Sequence, residues 1–280
     1  MDSKGLKNAT ATFCNIIRYN SGFERWKYLI SAVVWRYRKK KNLSFVKKIH
    51  TGAKVKVQPV SAFSPLFYFK WPEEEELKFI RKNSHLASTL VDVGANVGLF
   101  SSHLIDCFQS FYLFESAPAT FSALQETTSL NEQVDWHLFN LGIADKKGTI
   151  PFMDEGSLSS TNRFISHSKS SQYSLPVEML DNLITKNIGD IVLKIDVEGF
   201  EEKVFLGARK LFERQQVRLV MFERLGRTNL DNISDFLATY NYVIFLVNKA
   251  GKIIVDKEKL RVPCINLFAV PEAEFEAIKA

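Results

Sequence analysis

Cysteine is scarce: Cys14, Cys107 and Cys264 are the only three in 280 residues, far apart and odd in number. They provide neither a zinc-ligand spacing nor a disulfide framework, and a reduced, cytoplasmic setting is the expectation. Histidine is almost as sparse. His103 falls in a helical pattern and His137 in a strand-like one, so both read as packing or surface residues, which leaves His167 as the histidine to test. Long apolar runs are missing too. The stretch from Trp26 to Trp35 is far shorter than the roughly 20 residues a membrane span needs. Lys4 and Lys7 are not followed by an apolar stretch, so no secretory signal is expected. Finally, residues 36–48 contain no acid, only seven basic residues among neutral ones.

What is present is ordinary globular composition, 46% hydrophobic and 24% charged. That is enough for a substantial core in one α/β domain with an extension. The net charge of +6 is concentrated near the N-terminus. Residues 1–50 read as a basic helical extension. Its aromatic residues beside a Lys/Arg cluster over residues 26–48 suit a helix lying on an anionic membrane surface. A helix packed on the main domain with a solvated basic face fits the same pattern and is the plainer reading. Nucleic acid is not expected as a partner, because the positive charge is confined to one segment.

Residues 51–87 form a short lead-in. Lys54–Val57 and Leu66–Phe69 look β-like between Pro59, Pro65 and Pro72, and a helix is expected over Glu73–Asn83, with the run Glu73–Glu76 complementing its dipole. From residue 88 to 280 strands and helices alternate. Strands are expected at Thr89–Val93, Phe111–Glu115, Val134–Asn140, Ile191–Asp196 and Arg218–Glu223, with helices at Gly98–Cys107, Pro118–Leu130, Val177–Asn187 and Phe200–Arg214. The near-continuous apolar runs suit strands buried on both faces, as in a doubly wound, mostly parallel α/β sheet. Tyr242–Val247 and Cys264–Val270 are spaced to close it as an antiparallel hairpin. The serine-rich stretch 156–174 reads equally as a surface insertion or a lid.

Asp92-Val-Gly94-Ala-Asn96-Val-Gly98 sits between the first expected strand and its helix. Gly94 and Gly98 permit a sharp turn and close ligand approach, and the helix start offers free N–H groups to a carboxylate. The spacing is Gly-x-Asn-x-Gly, not the dinucleotide fingerprint Gly-x-Gly-x-x-Gly. Asp92 suits a cationic amino group. Glu115 ends the next strand and suits a ribose diol, with Ser116 beside it. Asn140-Leu141-Gly142 follows the third strand, where an adenine ring would lie.

These pieces resemble the FkbM-type methyltransferases. The match runs through Val91–Gly98, Leu113-Phe-Glu115, Leu130-Asn131, Asn140–Asp145 with Gly148, Leu180-Asp181, Leu193-Lys-Ile-Asp-Val-Glu-Gly-Phe-Glu201 with Val204, Gly207 and Ala208, and Met221-Phe-Glu223. One departure is Ser116, where the family usually has proline. The resemblance implies a class I, Rossmann-like methyltransferase sheet, S-adenosylmethionine as cofactor, and O-methylation, commonly of a sugar hydroxyl.

For such a reaction the acceptor must lose a proton near the end of the fourth strand. Asp196, Glu198 and Glu223 are the candidate catalytic carboxylates, Asp196 also bordering the cofactor. The same three could instead hold a divalent cation. Glu201 is expected to begin a helix. Two other readings stay open: an atypical nicotinamide oxidoreductase, for which no catalytic Tyr/Lys pair is placed, and a cofactor-binding interaction module without turnover.

Overall fold

The computed structural model describes residues 14, 16–17, 22–68, 73–153, 163–164, 173–184, 186–263 and 265–279. Most of the serine-rich stretch 156–174, including His167, lies outside the described residues, as does Cys264.

The N-terminal part holds helix α1 (Gly22–Lys40) and strands β1 (Phe45–Lys48) and β2 (Lys54–Val57). The strands pair antiparallel, so the division at residues 50 and 51 falls inside a hairpin. Helix α2 (Pro65–Tyr68) replaces the strand read at Leu66–Phe69. Pro65 opens it, where its fixed φ and missing N–H fit a first helical turn. Helix α3 (Glu74–Lys82) follows. The hairpin and α2 pack Trp35, Val55, Val57, Phe63 and Phe67 against Val97 and Ala123 of the main sheet's helical layer. Asn131 locks this arrangement: its side chain accepts from the Lys54 N–H at 2.8 Å and donates to the Lys54 carbonyl at 2.7 Å.

The main sheet follows from the apolar runs. Its elements are β3 (Thr89–Val93), α4 (Leu99–Ser102), β4 (Ser110–Phe114), α5 (Pro118–Ser129), β5 (Asp135–Phe139), then, after a smaller sheet, β10 (Ile191–Ile195), α7 (Glu201–Gly207), α8 (Arg209–Glu213), β11 (Val217–Arg224), α9 (Leu230–Thr239), β12 (Tyr242–Val247), β13 (Ile253–Ile254) and β14 (Ile265–Pro271). The eight strands lie in the order β13-β12-β14-β11-β10-β3-β4-β5. Those from β11 to β5 are mutually parallel, and β14 and β12 join antiparallel. Every residue of β3 and β10 is buried. Val91, Val93, Leu193 and Ile195 face one apolar cluster, and Leu90, Val192, Leu219 and Met221 the other. Parallel strands covered on both faces need this continuous apolar sequence.

The smaller sheet comprises β6 (Gly142–Ile143), β7 (Gly148–Met153), β8 (Arg163–Phe164) and β9 (Tyr173–Glu178), in the order β6-β9-β7-β8. Three helical readings change. Val177 belongs to β9, where Leu175 and Val177 alternate inward; a helix, α6 (Leu180–Leu183), starts only after Glu178. The helix read over Phe200–Arg214 is two, broken at Ala208. A Cβ on Gly207 would stand 2.0 Å from the Ala144 carbonyl oxygen, so the backbones meet there. The helix read from Gly98 to Cys107 is regular only through Ser102.

Candidate active site

The register of β10 on β3 places Lys194 directly opposite Asp92. Lys194 Nζ donates to Asp92 Oδ1 at 2.9 Å and Ser101 Oγ donates to Oδ2 at 2.7 Å. Asp92 is fully buried and both its oxygens are used inside the protein. With no exposed surface, it backs the loop from beneath. Lys194 also donates to the Gly94 carbonyl at 3.3 Å and lies 3.6 Å from Asp196 Oδ2, tying loop, strand and carboxylate together. Burial acts against its charge, but Asp92, Asp196 and Glu73 outweigh that and hold the ammonium protonated.

The loop then turns through Gly94 (φ 84°), Asn96 (φ 51°) and Gly98 (φ 78°). A Cβ on Gly94 would stand 1.8 Å from the Asp196 backbone oxygen, so only glycine lets the two strand ends approach this closely. Asn96 Oδ1 is buried and finds no hydrogen-bond donor among the described residues. An orphaned buried acceptor on a glycine loop is what a polar cofactor would satisfy. Glu115 spans the turn from β4: Oε2 accepts from the Asn96 N–H at 3.0 Å and Oε1 from the Ala117 N–H at 2.8 Å. Burial raises its carboxyl to about 7 against these two N–H donors. A carboxylate has about four acceptor positions, so two remain for a diol. Asn140 Nδ2 donates to the carbonyls of Glu115 and Ser116 at 2.9 and 3.2 Å, which ties the chain after β5 to the chain after β4. Leu141 packs against the main core and Gly142 pairs with Val177, so both serve the backbone path.

A pocket of about 210 Å³ opens here, lined by Gly94, Asn96, Phe100, Lys194, Asp196 and, from the lead-in, Ala62, Pro65 and Glu73. Glu73 was read as a helix-dipole residue. Instead it precedes α3 in the left-handed region, φ 51° and ψ 54°, with no capping bond. As a residue it is solvent-exposed, yet dense surroundings and then the Asp196 charge raise its carboxyl to about 8. A non-glycine residue at positive φ in a pocket wall is strain that packing must hold. No sequence signal marked it.

The carboxylates at the strand ends do converge. One oxygen each from Asp196, Glu198 and Glu223 lies within 4.8 Å of the others. Burial, then the charges of Asp196, Glu198 and Glu201, lift the Glu223 carboxyl to about 8. Glu223 Oε2 is buried and finds no partner among the described residues. Glu198 is held differently: Arg227 Nη2 donates to its Oε2 at 2.6 Å and Nε to its carbonyl at 2.8 Å. Arg227 lies over Gly199, where a Cβ would meet its Nε at 2.4 Å. Arg227, like Glu73, was missed because its partner is 29 residues away. Glu201 begins α7, as expected, and accepts from the Gly199 N–H and Thr228 Oγ1, bracing the turn.

The methyltransferase FkbM domain model matches residues 92–244, more than half the chain. This chain belongs to the FkbM methyltransferase family. It is thus an S-adenosylmethionine-dependent methyltransferase. No curated protein matches it. Similar solved structures include an rRNA methylase from Streptococcus thermophilus (10% identity, 72% of this chain and 96% of that one, TM-score 0.41). Others are a magnesium protoporphyrin IX methyltransferase from Synechocystis PCC 6803 (10%, 71% and 77%, TM-score 0.42) and a precorrin-6y C5,15-methyltransferase from Geobacter metallireducens (9%, 71% and 88%, TM-score 0.39).

Proposed function

We propose that this protein methylates a hydroxyl oxygen of a sugar-containing acceptor, in a glycan, glycolipid or glycosylated natural product. The observation that carries the reading is the convergence of Asp196, Glu198 and Glu223, one oxygen of each within 4.8 Å of the others, with Asp196 also lining the loop pocket. S-adenosylmethionine, when bound, supplies an electrophilic methyl group on a sulfonium. Asn96 and the N–H groups opening α4 would hold the polar end of the cofactor and Glu115 its ribose. Asp196, beside the raised Glu223 carboxyl, takes the acceptor's hydroxyl proton. Glu198, anchored by Arg227, and Glu73 across the pocket add acceptor oxygens for neighbouring hydroxyls, which suits a polyol better than a thiol or an apolar amine.

Mass spectrometry of surface glycans and glycolipids from cells with and without the protein tests the acceptor. The expected result is a loss of about 14 mass units per site, one methylene; methylation lost instead from a protein or nucleic acid would overturn it. Asp196→Asn should keep S-adenosylmethionine affinity and lose turnover by at least about a hundredfold, the usual worth of a general base; normal turnover would remove Asp196 from that role. The three clustered oxygens are also a hard donor set for a divalent cation. Turnover that survives chelation supports the general-base reading, and turnover lost on chelation and restored by Mg²⁺ replaces it.

A further inference from the structure

Helix α1 has two apolar sides, and the described residues cover only one. Tyr28, Ala32 and Trp35 face inward and are buried. Trp35 stacks on Phe67 with ring centroids 4.5 Å apart and donates from Nε1 to Ser64 Oγ at 3.1 Å, so the helix is firmly docked. On the other side Phe23 (82% exposed), Trp26, Ile30 (65%), Val33 (68%), Val34 and Tyr37 stand in solvent. At 3.6 residues per turn these six fall within an arc of about 100°, opposite the docked residues. Scattered exposed apolar residues need no explanation, but a continuous stripe on one rigid helix does.

Charge decides what the stripe fits. Exposed Lys27 lies on one edge of the arc, with Arg36 and Lys40 on the other, and Lys39 and Lys41 follow at the C-terminal end. The single acid of the helix, Glu24, is paired with Lys27 at 3.4 Å. A second copy of this chain would bring the same basic rim against itself, which disfavours a symmetric pairing. Among the described residues, no helix is long and apolar enough to cross a membrane.

We propose that α1 lies flat on an anionic phospholipid surface, its Phe23–Tyr37 stripe entering the headgroup–acyl boundary and its basic rim meeting the lipid phosphates. Trp26 and Tyr37 carry apolar rings with a polar tip, the side chains favoured at that depth. The helix bears on α2, whose Pro65 lines the loop pocket, so the membrane-facing element is joined to the pocket wall. This inference is independent of the acceptor's identity.

The full chain is sedimented with vesicles of phosphatidylcholine alone and with vesicles containing about one-third phosphatidylglycerol. The wild type should bind the anionic vesicles at least about tenfold better, since each basic residue near such a surface contributes about a fivefold gain. Ile30→Glu/Val33→Glu should lose at least about tenfold of that binding while keeping S-adenosylmethionine affinity, which reports an intact fold. Arg36→Gln/Lys40→Gln should also bind less, with a shallower salt dependence. Wild type that does not distinguish the two vesicles overturns the proposal, as does a glutamate variant that binds as well as wild type. A concentration-dependent dimer that the glutamate variant abolishes, with no vesicle binding, would assign the stripe to a second copy instead.

Discussion

Replacing Asp92 by asparagine tests whether the loop is held by charge from beneath. The substitution keeps the volume and one oxygen for Ser101, but sets a neutral amide against the Lys194 ammonium, which is itself 4% exposed. Removing one partner of a buried pair costs about 3–5 kcal/mol, because the other charge stays buried. Lys194 keeps Asp196 at 3.6 Å, whose side chain is 37% exposed, and the Gly94 carbonyl at 3.3 Å, so the low end applies, about 3 kcal/mol. For a domain of this size that lowers Tm by roughly 6–12 °C. The pH dependence is the sharper test. Without Asp92, burial lowers the Lys194 pKa in the fold below its unfolded value of about 10.4, so the unfolded chain binds more protons and stability rises with pH. Relative to wild type, the Asp92→Asn deficit in urea unfolding should shrink by about 1 kcal/mol or more between about pH 7 and 9.5. The double variant Asp92→Asn/Lys194→Met should recover part of the loss at pH 7. A deficit below about 1 kcal/mol, or one equal at both pH values, would refute the buried-pair account and return Asp92 to the cofactor's side of the loop.

Glu115→Gln should weaken S-adenosylmethionine binding by about ten- to a hundredfold in calorimetry, the worth of hydrogen bonds to a charged acceptor. In the wild type, affinity should fall as pH drops through about 7, because the raised Glu115 carboxyl takes up a proton there and the ionised form is the better acceptor; a flat profile would exclude it from the ribose site. Gly94→Ala must move the Asp196 carbonyl or the loop, and should lower Tm by several degrees and turnover by more than about tenfold. Gly148→Ala, which meets nothing within 4 Å, serves as the neutral control, and equal behaviour of the two would sink the close-approach argument.

Sequence pattern exposed whatever depends on local period and on glycine. The five parallel strands were legible as apolar runs, and the loop as Gly-x-Asn-x-Gly, since each signal lies within a few consecutive residues. Roles set by distant pairing were not legible. Asp92 and Lys194 are about a hundred residues apart, and only the β3–β10 register shows that they neutralise each other. Asn131 and Gly207 stood out as motif residues without a reason; one clamps the β2 backbone and the other admits the Ala144 carbonyl. Asp181 is similar, accepting from the Lys210 and Leu211 N–H groups at the start of α8. These residues bear on chain crossings, whereas Asn96 and Asp196 line the pocket, with Glu115 bonded to the Asn96 N–H and Glu223 beside Asp196. The family motif is thus a mixture: part of it builds the crossing of β3 and β10, and part borders the pocket. Burial separates the two parts. Asp92 has no exposed surface, while Glu223 and Asn96 keep a buried acceptor without a partner among the described residues. Unsatisfied acceptors in a folded core cost free energy, and a site that must bind polar groups is where such a cost is retained.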